Sequence, residues 1–346
     1  MEKGNKLSEF YRSRVGQLLQ KYSVFLVLIV LICVAQIMSS AFLSYDNIMN
    51  ILRQISTNAI LSLGLLLVIM TGGMDISIGA VVGVSSVLMV TLFSPGDAVG
   101  PMAFLVHFFS RFVPVNMGGL VVSSLVILLF GAVFGAFNGV VICRARIQPF
   151  IMTIGSMTLY RGLALLLTGG LLVYMGEEVV SLVGVIGKDR AVLDIPNQLF
   201  ILAIVSVIIA FLLNKTVFGR SLKAIGGNQE SARLAGINVD FHKIAVYTIC
   251  GLCAALAGIL ATARTTCGDP NLGDGYEMNA IAACVIGGAK LTGGRGTVIG
   301  TLCGALIIGI INNMMNLAGI NTYWQYVVRG GIVILAVAFN SKEKSR

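Results

Sequence analysis

The chain has 346 residues, of which 57% are hydrophobic and 11% charged, and its mean hydropathy is +0.92. A soluble domain is about 45–50% apolar and about 25% charged, so this composition excludes a water-soluble globule, and its apolar content excludes a disordered chain. The net charge of +9 does not indicate nucleic-acid binding, because the basic residues lie in short clusters between apolar runs.

Ten apolar runs along the chain are candidate membrane spans. A span needs about 20 apolar residues to cross roughly 30 Å of hydrocarbon, so ten spans leave room for short loops only. A basic start followed by one apolar run is also typical of a signal peptide, but nine further runs favour an uncleaved first span. The predicted spans are 22–41, 52–70, 76–93, 117–142, 149–169, 197–214, 244–263, 277–289, 297–316 and 323–340.

The basic residues predict the orientation of these spans. With the N-terminus in the cytoplasm, 17 of the 24 Lys and Arg residues fall in cytoplasmic segments and five in outside segments. This excess follows the positive-inside rule. The sequence therefore predicts an all-α polytopic membrane protein with both termini cytoplasmic. Its parts are a cytoplasmic segment 1–21, a single transmembrane domain 22–340 and a cytoplasmic tail 341–346.

Two predicted spans are irregular. The stretch 52–93 is interrupted by TGGMDIS, and 277–289 is too short to cross alone, so short or broken helices are expected at 52–93 and 277–304. Such segments often lie near a substrate path. TGGMDISIGAVVG (71–83) and TGGRGTVIGTLCG (292–304) share six of 13 positions, either as an internal repeat or as two independent turns that need glycine.

Small residues predict where helices pack closely. Glycines recur every fourth residue at three places, and such a stripe lets another helix backbone approach. The stripes are Gly131/Gly135/Gly139, Gly79/Gly83 and Gly300/Gly304.

No motif for catalysis within the chain is found in the sequence. Cys250 and Cys253 form a CxxC inside an apolar run, which favours buried core residues over redox or metal chemistry. His107 and His242 are predicted to lie on opposite sides of the membrane, so no metal site is expected. A GxxxxGK[ST] loop is absent, so the chain is not expected to hydrolyse ATP itself or to carry a cofactor.

The longest cytoplasmic loop, 215–243, is polar and basic. Asn228 is predicted as the N-cap of a short helix over 229–235, and Gly236 suits its C-terminal stop. The helix is either an ordinary amphipathic linker or a knob that docks into a partner protein. Its apolar side is expected to consist of Leu222, Ile225, Leu234 and Ile237.

Three ordered motifs carry a family resemblance. GGNQESARLAGINV (226–239) resembles the cytoplasmic signature of permease subunits of ribose/galactose/xylose-type monosaccharide ABC importers, in binding-protein-dependent transport family 2. TGGMDISIGA (71–80) is similar to that family's Gly-Gly-Ile-Asp-Leu-Ser-Val-Gly element, with Met74 and Ile76 as departures. The segment 279–337 is similar to its C-terminal block, so the resemblance covers most of the chain.

The resemblance implies a set of partners in a bacterial inner (plasma) membrane. A second permease subunit would complete a dimer, expected to be a homodimer. A cytoplasmic ATPase with two nucleotide-binding domains would hold ATP and Mg, and an extracytoplasmic binding protein would deliver the sugar. The helix in 215–243 would be the coupling helix. The residues implied to couple to the ATPase are Gly226, Gly227, Asn228, Glu230, Arg233 and Gly236.

Neutral, hydroxyl-rich cargo needs a path lined by amides, hydroxyls and aromatic rings. Each candidate can equally be an interhelical hydrogen bond, and Asp75 can be a helix cap. In the predicted outside segment 170–196, Glu177 and Glu178 are candidates for pairing with basic residues of a docking protein. The candidate path residues are Asn58, Asp75, Phe137, Asn138, Tyr160, Asn312 and Asn316.

The sequence leaves alternatives for the cargo and for the energy source of transport. The resemblance favours a ribose-like pentose or a galactose-like hexose, while the same machinery could carry a nucleoside, a furanosyl signalling molecule or a branched-chain amino acid. An ion-coupled secondary carrier is less favoured, because such carriers need ionisable groups near the midplane and few occur in these spans.

Overall fold

The computed structural model describes residues 14–100, 103–192 and 194–342. Most of the predicted segment 1–21 and of the tail 341–346 therefore lies outside the described residues. The described part holds fourteen α-helices: α1 (Arg14–Met38), α2 (Tyr45–Met70), α3 (Ile78–Thr91), α4 (Ala103–Ser110), α5 (Met117–Ala145), α6 (Pro149–Thr168), α7 (Glu177–Gly187), α8 (Asn197–Lys215), α9 (Val217–Gly227), α10 (Gln229–Leu234), α11 (Val239–Thr265), α12 (Tyr276–Ile286), α13 (Val298–Leu317) and α14 (Thr322–Lys342).

Extended structure in the described part is confined to four very short strands. They form two antiparallel pairs: Val173 of β1 faces Gly268 of β4, and Val192 of β2 faces Ile195 of β3. The strands are β1 (Val173–Tyr174), β2 (Arg190–Val192), β3 (Ile195–Pro196) and β4 (Cys267–Gly268).

In the part of the chain that the structure describes, six helices are long and apolar enough to cross a membrane: α2, α5, α6, α8, α11 and α13. The apolar helices α3 and α12 and the apolar part of α1 from Phe25 are shorter. Within the long helices, 83% of the most apolar stretch of α2 is buried, against 22–28% for α5, α6 and α8. Helix α2 is therefore central, and the other three present apolar surface outward. The predicted all-α membrane class is confirmed.

The bundle has two ends, and the short helices α10 and α7 mark one end each. Helix α11 begins at Val239, shortly after α10, and near its other end the backbone of Ala263 packs on Gly187, the last residue of α7. The α10 end and the α7 end therefore lie at opposite ends of α11. Helices α4 and α7 and the strands lie between predicted spans, where the sequence predicted only short loops.

The two irregular spans are short helices preceded by non-helical chain, as expected. Helix α3 has 14 residues and α12 has 11, so they are about 21 Å and about 16 Å long. The non-helical stretch before α12 packs on α3, because Gly83 lies against the carbonyl oxygens of Pro270 and Leu272. This non-helical stretch is therefore packed against protein, because α3 covers it.

Two of the three glycine stripes pack against helix backbone, as predicted. Gly131, Gly135 and Gly139 on α5 face the backbone of α11, and Gly300 and Gly304 on α13 face the backbone of Gly287 and Ala283 at the end of α12.

The prediction was wrong for the third stripe, Gly79/Gly83. A Cβ at Gly79 would meet the carboxylate of Glu277, and one at Gly83 would lie 2.6 Å from Nη1 of Arg161. Here glycine makes room for charged side chains and for a loop, so the four-residue spacing alone did not identify the neighbour.

Replacing Gly135 by alanine is expected to destabilise the bundle by about 1–3 kcal/mol, because the new methyl group overlaps the carbonyl oxygen of Tyr247. The matched control is Gly155→Ala on α6, where a Cβ would meet no atom within 4 Å. Thermal unfolding of the purified chain in detergent should show a lower Tm for Gly135→Ala only. Equal Tm values would contradict the close α5–α11 packing.

Candidate functional site

Helix α10 is a short helix with well-defined caps. The backbone N–H of Ser231 donates to Oδ1 of Asn228 over 2.9 Å, which satisfies one of the free amides at the helix start. Gly236 follows with φ 82, the left-handed region that glycine adopts readily at a helix stop. The predicted N-cap at Asn228 and stop at Gly236 are confirmed.

The apolar side of this region differs from the expectation at one residue. Ile225, Ala232 and Val239 form a small buried cluster, with Ile237 packed against it. Leu234, expected on the same side, is 85% exposed. It follows Glu230 by one turn, and Glu230 is also exposed. The surface of α10 that faces away from the bundle thus combines a leucine and a carboxylate.

The other side of α10 is tied to α11. Nη2 of Arg233 lies 3.0 Å from Oδ1 of Asp240, and Nζ of Lys243 donates to Oε1 of Gln229 over 2.8 Å. Sequence reasoning assigned Arg233 to a partner protein and missed Asp240 and Lys243. Both residues lie in the first turns of α11, directly after a capped loop. This position in the sequence could have indicated that they contact α10.

The end of α9 meets both helix breaks at one point. A Cβ at Gly226 would overlap the carbonyl oxygen of Met70 and the amide of Gly294, and a Cβ at Gly293 would lie 2.8 Å from both Cα of Gly226 and the amide of Gly72. The N–H of Gly294 donates to the Met70 carbonyl over 2.9 Å. Gly72, Gly226, Gly293 and Gly294 are called the glycine junction below.

Backbone conformation also requires glycine at this junction. Gly72 has φ 76 and Gly293 has φ 96, values that residues with a Cβ rarely adopt. Gly227, the neighbour of Gly226, has open space where its Cβ would stand. The two similar TGG elements thus form the turns after α2 and before α13, and they pack against each other and against α9.

Three candidate path residues belong to one buried hydrogen-bond network. Oδ1 of Asp75 accepts from the N–H and the Oγ of Ser77, at 3.0 and 2.6 Å. Ser77 Oγ in turn accepts from Nδ2 of Asn138 over 2.9 Å, and the Tyr160 hydroxyl lies 3.1 Å from Oδ1 of Asn138. Asp75 is 1% exposed. The network fixes the turn into α3 against α5 and α6.

The remaining path candidates do not join this network. Asn58 is buried on α2, and Phe137 lies on α5 with 47% of its surface exposed. Asn312 and Asn316, near the far end of α13, accept hydrogen bonds from Nε of Arg329 over 3.3 Å and from Gln325 over 2.8 Å.

At the α7 end, Glu177 and Glu178 are exposed in the first turn of α7. Val179 and Val183 bury the other face of this helix. Acidic side chains at a helix start interact favourably with its dipole, which gives both a local role as well. Nearby Leu171 is 71% exposed, so the surface around α7 is both acidic and apolar.

A polar cluster that sequence reasoning missed links the start of α2 to the β2–β3 turn. The hydroxyl of Tyr45 donates to Oδ2 of Asp194 over 2.8 Å, and Nη1 of Arg190 lies 3.0 Å from the same oxygen. The Tyr45 hydrogen bond, followed by the interaction with Arg190, holds the pKa of the Asp194 carboxyl below its usual value. Because the partners are about 150 positions apart, local patterns could not reveal the cluster.

The cysteines are all free, and Cys250, Cys253, Cys284 and Cys303 are buried. Cβ of Cys253 packs against Gly64 of α2. The CxxC is therefore part of the core between α2 and α11, as predicted.

Comparison with known proteins places these features in a family. The family model described as "Branched-chain amino acid transport system / permease component" matches residues 47–337. The ribose import permease protein RbsC of Escherichia coli (strain K12) is 38% identical over 92% of this chain and 93% of its own length. RbsC of Bacillus subtilis (strain 168) is 37% identical over 98% of each chain. The galactose/methyl galactoside import permease protein MglC of E. coli (strain K12) is 33% identical over 95% of this chain and 96% of its own length.

No solved structure matches the chain significantly. The family match covers well over half of the sequence, and the relatives align over nearly their full lengths. With its long apolar helices, the chain is a multi-pass inner-membrane protein. It belongs to the family of branched-chain amino acid transport system permease components.

Proposed function

We propose that the chain is the transmembrane subunit of an ATP-binding-cassette importer for a monosaccharide, a ribose-like pentose or a galactose-like hexose. A separate cytoplasmic ATPase with two nucleotide-binding domains hydrolyses ATP with Mg, and an extracytoplasmic binding protein delivers the sugar. Two copies of the permease pair as a homodimer. The permease itself catalyses no reaction.

One observation carries this proposal: the full-length similarity to import permeases named for ribose, galactose and allose, at 33–38% identity. Similarity that extends over nearly the whole length includes the helix breaks and α10. The geometry is consistent with it, because α10 presents Glu230 and Leu234 away from the bundle while Gly226 connects α9 to both breaks.

The proposed topology has ten spans with both termini and α10 in the cytoplasm. The six long apolar helices and the shorter α1, α3 and α12 supply nine of these spans, and α14 is assigned the tenth. The cluster of basic residues at the α10 end supports this orientation through the positive-inside rule. Reporter fusions at Gly236 and at Gly176 check it, since the account requires opposite sides for the two.

The contacts of α9 and α10 give a route by which ATPase closure is coupled to movement of the membrane helices. The ATPase holds the exposed side of α10, and closure of its nucleotide-binding domains moves α10 and α9 together as a rigid unit. Because Gly226 lies directly against the turns after α2 and before α13, the movement reaches both helix breaks without an intervening flexible segment. The ion pair of Arg233 with Asp240 passes part of it to α11.

Leu234→Glu and Glu230→Lys are each expected to weaken ATPase binding, on the order of tenfold for an anchor residue at an interface. The control is Val217→Glu on α9, also an exposed apolar residue, at 67% exposure. Co-purification of each permease variant with the ATPase subunit of the importer is the measurement. If neither substitution reduces binding below that of the control, α10 is not the coupling helix.

Two observations bear on the cargo. The individual relatives are named for sugars, whereas the printed family description names branched-chain amino acids, which keeps amino acids as a second candidate. An ion-coupled carrier is less favoured, because the carboxylate of Asp75 is engaged by Ser77 in a buried network. Uptake driven by a sodium or proton gradient, by the purified chain alone in vesicles, would reject the ATP-driven account.

We keep the seven polar and aromatic candidates as the proposed sugar path, with Phe137 as the residue that tests it. Phe137 lies two turns along α5 from Leu129, and both are about half exposed, at 47% and 56%. If Phe137 lines the path between two subunits, Phe137→Ala reduces sugar uptake at least severalfold while Leu129→Ala does not. Equal uptake by the two variants in vesicles with the complete importer would remove Phe137 from the path.

The acidic start of α7 is the proposed contact for the binding protein. Replacing Glu177 and Glu178 by lysine is expected to slow uptake at low ionic strength, with the difference shrinking near 0.15 M salt, where screening acts over about 8 Å. Asp97→Lys, another exposed acidic site outside the apolar helices, is the control. Uptake that responds to salt identically in all three proteins contradicts this contact.

A further inference from the structure

A cavity of about 540 Å³ opens at the α10 end of the molecule. Its walls come from the last turn of α5, the chain leading into α6, helix α10 and the first turns of α11. Four basic side chains line it, Arg144, Arg146, Arg233 and Lys243, against a single carboxylate among the lining residues, Asp240. The cavity is therefore built for an anion.

Part of this charge is already paired. Asp240 is bonded to Arg233, and Lys243 donates to Gln229. Arg144 and Arg146 make no ion pair with any of the described residues. Arg146 also adopts the left-handed conformation, with φ 54, which residues with a Cβ rarely adopt. Arg144 and Arg146 are therefore the arginines of the cavity whose charge no carboxylate of the described residues pairs.

The cavity is continuous with apolar surface. Ile147 and Pro149 line it, and the next residues of α6 expose Phe150 and Ile151 by 51% and 59%. Helix α6 buries only 28% of its most apolar stretch, so its outer surface is suited to lipid acyl chains. A ligand that fits both parts has a negative head and an apolar tail.

The surface proposed for the ATPase lies elsewhere on α10. Gln229 and Arg233 line the cavity, whereas Glu230 and Leu234 are offset from them by about 100° around the helix axis. An ATPase that holds Glu230 and Leu234 therefore need not occupy the cavity.

We propose that this cavity binds the phosphate of an anionic phospholipid headgroup, with Arg144 and Arg146 as the main contacts and the acyl chains along α6. Basic pockets between membrane helices on the cytoplasmic side suit such headgroups. The assignment to the cytoplasmic leaflet rests on the proposed function. A bound lipid ties α10 to α5 and α6 and stabilises the coupling region.

The test is a lipid titration of the purified full-length chain in detergent, read by native mass spectrometry and by Tm. Phosphatidylglycerol is compared with phosphatidylcholine and with inorganic phosphate. We expect retention of phosphatidylglycerol and a higher Tm with it, and neither effect with phosphatidylcholine. An equal Tm increase from inorganic phosphate supports the anion site but assigns it to a soluble phosphate. Since neither ATPase nor sugar is present, the result is independent of the transport function.

The variants separate this cavity from general surface charge. Arg144→Gln/Arg146→Gln should reduce phosphatidylglycerol retention on the order of tenfold or more. The control Arg220→Gln/Lys223→Gln removes two exposed basic residues from α9 at the same end and should retain lipid as the original chain does. Asp240→Asn removes the carboxylate and should strengthen retention, which no loss of folding can mimic.

Three results would overturn the proposal. One is equal retention by the two double variants. Another is unchanged or weaker retention by Asp240→Asn. The third is a Tm increase with inorganic phosphate equal to that with phosphatidylglycerol, which would assign the cavity to a soluble phosphate.

Discussion

The contact between Gly226 and the two helix breaks is the constraint on which the rest of the structure depends. Three backbone segments from distant parts of the chain approach so closely that a single Cβ on Gly226 would overlap the Met70 carbonyl and the Gly294 amide. Because no space remains between these segments, α9 cannot shift without shifting the turns after α2 and before α13. The contact therefore fixes the end of α9 against both breaks.

The breaks themselves depend on burial. Buried non-helical backbone needs partners for its polar groups. The turn after α2 finds them in the Asp75–Ser77–Asn138 network and in the Tyr247 hydroxyl, which donates to the Met74 carbonyl over 3.2 Å. The segment before α12 finds a partner in Arg161, whose Nη1 donates to the Pro270 and Leu272 carbonyls over 2.6 and 3.0 Å. These buried polar side chains therefore stabilise the non-helical backbone on either side of the short helices.

Local features were predictable from sequence, and features set by distant residues were not. Hydropathy identified the apolar helices, and the Asn228 cap and the Gly236 stop follow from neighbouring residues alone. The exposure of Leu234 and the pairing of Arg233 with Asp240 depend on how α10 packs, which its own sequence does not encode. The spacing of Gly79 and Gly83 predicted a neighbouring helix backbone and could not show that the side chains of Arg161 and Glu277 lie there instead. Likewise, a polar amide such as that of Asn138 suits either a sugar path or a hydrogen bond between helices. Its neighbours Ser77 and Tyr160 show that it forms hydrogen bonds between helices.

The most direct test of the account compares two adjacent glycines in the complete importer. Gly226→Ala places a methyl group inside the junction, whereas Gly227→Ala places one in open space. The account predicts that both variants bind the ATPase normally, while ATP-driven uptake falls about tenfold or more for Gly226→Ala only, as expected for a strain above about 1.4 kcal/mol. Equal uptake by the two variants, with the ATPase bound, would contradict it.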